Sequence, residues 1–495
     1  MFASLGIDLP TGILLCLALL LALSFEFVNG FHDTANAVAT VIYTNSLKPT
    51  QAVIWSGLWN LIGVLTSSGA VAFGIVALLP VELVINVGSG AGFAMVFSLL
   101  LSAIIWNLGT WYLGLPASSS HTLIGSIVGV GLMNSLLSPD SAFGDGVNWA
   151  KVGDTVKALF FSPLIGFVVA GLLLLLAKAV LRNPALFKAP QGTAPPPGWI
   201  RGLLVFTCTG VSFAHGSNDG QKGMGLIVLI LVGIVPAAFA LNLQTSADTL
   251  TKIRTSAAAF EQSLQESAVN PSVGTDGIAN KTLTTYLRKG ELTAETLPAL
   301  ETVNHRVMTG LVGINDLAAI PGAQRRTLRL NIYLVSESLA KMIKAKKLPA
   351  RLDADALSAY QKMLKGITAF IPVWVKVAIA LALGLGTMVG WKRIVVTVGE
   401  KIGKAHLTYG QGAAAEIVAF GTIEAADLLG LPVSTTHILS SGIAGTMVAN
   451  GAGLQGPTVR NIILAWVLTL PVCVLLGAAL FGAGLLFVFR VLGVH

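Results

Sequence analysis

Two short polar stretches hold the side chains with chemistry in them. Gly30 to Thr40 reads GFHDTANAVAT and sets His32, Asp33 and Asn36 behind an apolar run from Thr11 to Phe25. Gly216 to Gly225 reads GSNDGQKGMG and aligns Asn218 with His32, Asp219 with Asp33 and Lys222 with Asn36. Apolar sequence lies close on both sides, which places these groups at membrane depth. Ionisable side chains are rare there and usually face a water-filled path or a binding site. A carboxylate in lipid is costly unless it is protonated or paired with a cation. Asp33 and Asp219 therefore suit proton uptake or coordination of a hard cation, with Asn36 and Asn218 adding amide oxygens. Lys222 makes the two arms unequal: its ammonium stands where an alkali ion would otherwise be needed, leaving a proton as the coupling ion. His32 points the same way, since imidazole titrates near neutral pH. A purely structural Asp219–Lys222 ion pair is the competing reading.

A second matched pair is rich in hydroxyls. Leu115 to Thr122 reads LPASSSHT and Leu431 to Ile438 reads LPVSTTHI, each preceded by a glycine. Proline fits the first turn of a helix, and serine or threonine beside it caps free amides. Two half-helix N-termini pointing inward would offer unpaired N–H groups and positive dipole ends. Ser118, Ser119, Ser120, Thr122, Ser434, Thr435 and Thr436 would add hydroxyls, making an anion site of the kind that favours phosphate. Alternatively these hydroxyls bond carbonyls of their own helices. Recurrence of the motif in a duplicated frame favours the site.

The elements that must position these residues are membrane helices. Of 495 residues 54% are hydrophobic and 11% charged, against about 25% charged in a soluble domain. Repeated apolar runs are long enough to cross a ~30 Å hydrocarbon core. The first span has almost no basic n-region and no small-residue cleavage site, so it reads as a retained span. Cys16, Cys208 and Cys473 lie in apolar segments and read as core thiols. The net charge of +8 belongs to membrane-flanking Lys and Arg, which argues against a nucleic-acid partner. A polar motif followed by a hydroxyl motif, once per half, is the mark of a duplicated transporter fold. The expected fold is an all-α polytopic membrane protein of two inverted repeats, with broken helices and re-entrant hairpins in about 10–12 helical segments. The expected organisation is a first transmembrane repeat over 1–181 and a Pro-rich linker over 182–201. The second repeat starts over 202–242, a polar, mainly helical insertion spans 243–366, and the second repeat resumes over 367–495.

A P-loop is excluded because Gln221 precedes Lys222 and Gly223 replaces the needed Ser or Thr. No cofactor motif and no metal-ligand cluster is apparent. An intramembrane metallohydrolase using His32, Asp33, His215 and Asp219 is the competing class. It lacks an HExxH-type pair and a nucleophile. Glu26 precedes the first polar motif by a turn, and the acids Glu424 and Asp427 have no counterpart in the first half.

The motifs GFHDTANAVAT, LPASSSHTLIG, HGSNDGQKGMG and LPVSTTHILSSGIAGTM together resemble the PiT family of inorganic phosphate transporters, in particular its bacterial low-affinity Pit-type members. The resemblance covers nearly the whole chain. It implies phosphate contacts from Ser118, Ser119, Ser120, Thr122, Ser434, Thr435 and Thr436, and a coupling-ion role for Asp33 and Asp219 with Asn36 beside the first. The chain departs from the family's sodium-type pattern at His32, where Asn is usual, and at Gln221-Lys222, where Ala-Asn is usual. Members with these departures resemble proton symporters that take phosphate, often as a neutral divalent metal–phosphate complex. The expectation is a multi-pass protein of the cell's inner membrane that is not an enzyme. It would import phosphate with protons by alternating access. Sodium coupling, or another oxyanion such as sulfate or arsenate, is the alternative. A homo-oligomer is compatible with the sequence, which does not specify one.

Overall fold

The computed structural model describes residues 7–79, 88–138, 142–145, 147–181, 183–265, 276–349 and 352–490, and among these it is all-helical. The first half contains α1 (Leu9–Tyr43), α2 (Pro49–Thr66), α3 (Ala70–Val76), α4 (Gly90–Tyr112), α5 (Ser119–Leu137) and α6 (Trp149–Val180). After a 3-10 turn at Pro184–Phe187 come α7 (Gly198–Ile234) and five helices of the insertion. These are α8 (Ala247–Gln265), α9 (Asp276–Lys289), α10 (Thr296–Gly310), α11 (Gly322–Lys344) and α12 (Ala354–Thr368). The chain ends with α13 (Val373–Met388), α14 (Lys392–Glu400), α15 (Tyr409–Leu428), α16 (Thr435–Ala449) and α17 (Gly456–Arg490). Five helices are long and apolar enough to cross a membrane, and two sharply bent pairs, α2 with α3 and α12 with α13, raise that to as many as seven among the described residues.

Both polar motifs lie inside unbroken helices, α1 and α7, rather than at breaks. The expected helix breaks fall elsewhere, at the bends of 76° between α2 and α3 and 72° between α12 and α13. The motif helices stay regular because their backbone amides remain bonded within the helix while their polar side chains find partners across it. Small residues let the neighbouring backbones approach. A Cβ added at Gly30 would stand 2.3 Å from the Leu383 carbonyl on α13, and one at Gly216 would stand 2.1 Å from the Asn60 carbonyl on α2. Two such crossings lock α1 onto α13 and α7 onto α2.

The hydroxyl motifs form the tips of two helical hairpins, α4–α5 and α15–α16, with matching turn chemistry. Gly114 and Gly430 sit at φ +67 and +63. The following amides close back across the turn, Leu115 N to Thr110 O at 2.9 Å and Leu431 N to Ala426 O at 2.9 Å. This is the Schellman arrangement, and it needs the left-handed conformation that glycine adopts without penalty. Ser118 and Ser434 then restart the chain as helix, each hydroxyl accepting the amide three residues on, at 3.2 and 3.1 Å.

The insertion builds a core of its own, with Ile253, Phe260, Leu300, Ile332, Leu339 and Tyr360 all buried. Its two ends are clasped together. Asn242 N donates to Ile367 O at 2.8 Å, and Arg329 Nη1 donates to the carbonyls of Ala240 and Thr368 at 2.7 and 2.8 Å. Burial lowers the Arg329 guanidinium to about 10, still charged at neutral pH.

Candidate functional site

Asp33 and Asp219 reach the same point from α1 and α7, and Ser119 of the first hairpin joins them. Ser119 Oγ donates to Asp33 Oδ2 at 2.8 Å and lies 3.5 Å from Asp219 Oδ2. Lys222 Nζ is 2.8 Å from Asp219 Oδ2 and donates to Ser119 Oγ at 3.3 Å. Thr436 of the second hairpin donates to Asp33 Oδ1 at 2.5 Å. One carboxylate thus receives a hydroxyl from each hairpin tip, and the other receives an ammonium from its own helix one turn on. All five residues are buried.

His32 is held on both sides of its ring. Nδ1 faces Asp33 Oδ1 at 3.2 Å and Nε2 faces Thr110 Oγ1 at 3.1 Å. Asn218 Nδ2 donates to the Leu431 carbonyl at 3.2 Å, leaving Oδ1 buried without a partner among the described residues. The side chain of Asn36 lies outside the described residues.

The seven hydroxyl residues split into two sets. Ser119 and Thr436 bond the carboxylates, and Thr435 Oγ1 is buried with no hydrogen-bond partner among the described residues. The others are occupied within the scaffold. Ser118 and Ser434 cap their helices, Ser120 Oγ donates to Val433 O at 2.7 Å, and Thr122 Oγ1 donates to its own helix at Ser118 O, 2.8 Å, with Asn107 Oδ1 at 3.0 Å. The Ser120 bond runs from one hairpin tip to the other.

Several neighbours stand outside the residues assigned to phosphate or to the coupling ion, although His215 was named from the sequence in the metallohydrolase alternative. His215 lies one turn before Asp219, with Nε2 3.4 Å from Asp219 Oδ2. Asp33, His215 and Asp219 present donor atoms within 4.8 Å of one another. A carboxylate pair with an imidazole suits a small hard cation or a shared proton. The i, i+4 spacing of His215 and Asp219 was the available signal. Asp427, unexplained in the sequence, accepts from Ser217 Oγ at 2.9 Å and Gln221 Nε2 at 2.6 Å, so it ties α15 to the motif face of α7. Glu416 on α15 is buried and accepts from both Thr40 of α1 and Thr207 of α7. Glu26 is buried against Gly223, next along α7 to Lys222, with Oε1 unpartnered among the described residues. His121 and His437 lie ring against ring in a tilted pair, 4.7 Å between centroids, and His437 stacks on Trp466 at 4.0 Å.

Similarity to known proteins identifies the family of the chain. Residues 29–477 match the model of the Phosphate transporter family. The chain is 43% identical over 500 residues to the low-affinity inorganic phosphate transporter PitB of Escherichia coli K12, covering 96% of this chain and 97% of that one. It is 42% identical to PitA of the same strain, over 97% and 99% of the two chains. A probable low-affinity inorganic phosphate transporter of Bacillus subtilis is 27% identical over 94% of this chain and 96% of its own. Among solved structures, one titled the sodium-dependent phosphate transporter matches with TM-score 0.52 at 18% identity, covering 95% of this chain and 98% of its own. That likeness concerns the fold. The relatives are named as transporters and not as enzymes, which removes the metallohydrolase reading. The chain is a membrane protein and belongs to the phosphate transporter family.

Proposed function

We propose that this protein carries inorganic phosphate across the cell's inner membrane by symport with protons, through alternating access of two inverted repeats. The names of the full-length relatives support phosphate as the substrate. The phosphate seat is the space before the α5 and α16 N-termini, where first-turn amides and positive dipole ends favour an anion. Ser119, Thr435 and Thr436 are the hydroxyls best placed to touch it. Ser118, Ser120, Thr122 and Ser434 hold the two tips in shape around it.

The observation that carries the coupling is Lys222, wholly buried and 2.8 Å from Asp219. Two carboxylates beside an anion seat repel the anion unless positive charge accompanies it. With Lys222 offsetting Asp219, one negative charge remains at Asp33. A single proton, shared among Asp33, His32 and His215, neutralises it. Phosphate carried as a neutral divalent metal–phosphate complex meets the same requirement. The linker over 182–201 joins the repeats, and the 243–366 insertion is an interruption of the second repeat.

The test is radiolabelled phosphate uptake into proteoliposomes under an imposed pH gradient, with choline as the sole other cation. Concentrative uptake is expected. Uptake that begins only when sodium is added would sink the proton reading.

A further inference from the structure

Beside the first hairpin tip lies a cavity of about 630 Å³ between the end of α4 and the start of α14. At ~30 Å³ per water it has room for about twenty waters. Its walls carry Lys392, Arg393 and Lys401 among aromatic and apolar residues, and no acidic residue lines it. Arg393 is fixed in place. Its Nη1 donates to the Tyr112 carbonyl at 2.7 Å, and its guanidinium lies over the rings of Trp111 and Tyr112, 5.2 and 4.9 Å from their centroids. Lys392 and Lys401 are exposed and take part in no salt bridge among the described residues.

The inner wall of this cavity is aromatic. Trp111 Nε1 donates to the Gly390 carbonyl at 2.7 Å, and the Phe31 ring packs on Trp111 with centroids 5.1 Å apart. The next residues along these two helices, His32 and Thr110, are bonded to each other at the carboxylate site. Trp111 of the cavity wall thus packs on α1 through Phe31, and the same two helices carry the His32–Thr110 contact beside Asp33. The second hairpin tip offers an internal comparison. Gly430 packs on Ala70 at the start of α3 as Gly114 packs on Arg393 and Thr397 of α14. Yet α3 reads AVAFGIV without a charge, where α14 begins Lys-Arg. The basic residues are thus not required for packing a helix on a hairpin tip.

We propose that this cavity is a binding vestibule for a phosphate-class anion, built against the first hairpin tip and on the α4 helix that also contacts the carboxylate site. The inference rests on the phosphate-transport reading. Either free inorganic phosphate on its way to the seat or the phosphate of an anionic lipid headgroup has the required chemistry. Three exposed positive charges, with no acid among the residues lining the cavity, raise the local anion concentration, and Arg393, pinned by its aromatic neighbours, sets a fixed point for it.

The experiment compares the full-length protein with Lys392→Gln/Lys401→Gln, and with Lys252→Gln as a charge control on the insertion surface, where Lys252 pairs with Asp248. Uptake of radiolabelled inorganic phosphate is measured in phosphatidylcholine vesicles at low and high ionic strength. Two lysine charges at roughly 7 Å from the anion, screened over a Debye length of about 30 Å at ~10 mM salt, predict a KM about fivefold higher at low salt. The gap should close at high salt, and Lys252→Gln should match wild type. That result makes substrate phosphate the occupant. The second arm adds phosphatidylglycerol to the vesicles. If KM is unchanged but phosphatidylglycerol raises the thermal midpoint of wild type and not of the double variant, a lipid headgroup is the occupant. If the double variant equals wild type in both arms, the vestibule is overturned. The comparison holds with whichever cation drives uptake, so a finding of sodium dependence would overturn the coupling reading and leave this test standing.

Discussion

Replacing Lys222 with asparagine tests the charge balance of the site most directly. In the native chain its ammonium sits 2.8 Å from Asp219 with both side chains fully buried. Removing one member of a buried pair leaves an uncompensated charge, at a cost of about 3–5 kcal/mol. At 1.36 kcal/mol per tenfold, that is a fall of at least about a hundredfold in the population holding Asp219 ionised. The carboxylate must then be neutralised by a proton or by a cation from solution. Asparagine restores an amide oxygen beside Asp33, His215 and Asp219, whose donor atoms lie within 4.8 Å of one another, so a small cation has ligands there. A cation present at a hundred times its Kd would return about 2.7 kcal/mol, nearly the lower estimate of the loss. The expected phenotype of Lys222→Asn is phosphate uptake at least tenfold below wild type in choline, restored in a saturable way by sodium. Proteoliposome uptake against sodium concentration measures it, with potassium as a control and thermal midpoints reporting whether sodium also stabilises the variant. A folded variant with the same kinetics in choline and in sodium would refute the account of Lys222 as a built-in cation.

Asp33→Asn removes the charge on which Ser119, Thr436 and His32 converge while keeping an acceptor for one hydroxyl. Uptake driven by a pH gradient should fall at least about tenfold, with the variant still reaching the membrane, and wild-type uptake would remove Asp33 from the coupling role. In the insertion, burial raises the Glu337 carboxyl above its ordinary value of 4.5, against the pull of Lys365 and Lys151. A carboxyl raised on folding binds more protons in the native state, so its contribution is intact below pH 4.5 and is lost as pH rises through the folded value. Glu337→Gln should therefore raise the thermal midpoint at pH 7 and leave it unchanged near pH 4, as read by melting in detergent; a variant less stable at pH 7 would contradict the burial argument.

The unequal arms were legible in the chain because they are chemical differences at aligned positions. Asn36 against Lys222 is visible wherever the two motifs are written one above the other. The hairpin tips were legible too, since Gly-Leu-Pro followed by hydroxyls combines a left-handed turn with a helix start. The division of labour among the hydroxyls was not. Ser119 and Ser120 are adjacent and identical, yet one bonds Asp33 and the other bonds Val433 of the opposite hairpin. Which way each points depends on helix phase and on where the second hairpin lies, and neither is a local property. Likewise Glu416 is one acid among several in the sequence, and only the crossing of α15 with α1 and α7 brings Thr40 and Thr207 to it.

Residue type by itself determined that the chain lives in lipid, that it carries two related polar motifs and two related hydroxyl motifs, and that its second arm contains its own cation. Those facts follow from hydropathy, glycine and proline punctuation, and charge, all of which act over a few residues. The tertiary structure decided that the polar motifs run through unbroken helices and that the bends fall in α2–α3 and α12–α13. It also decided that both carboxylates meet at one serine, Ser119. Asp33 and Asp219 are 186 positions apart, and what joins them is the packing of α1 on α7, where Gly223 leaves room for the Glu26 side chain, together with Ser119 reaching both carboxylates. Such contacts are set by shape complementarity over the whole bundle, and no stretch of sequence contains them.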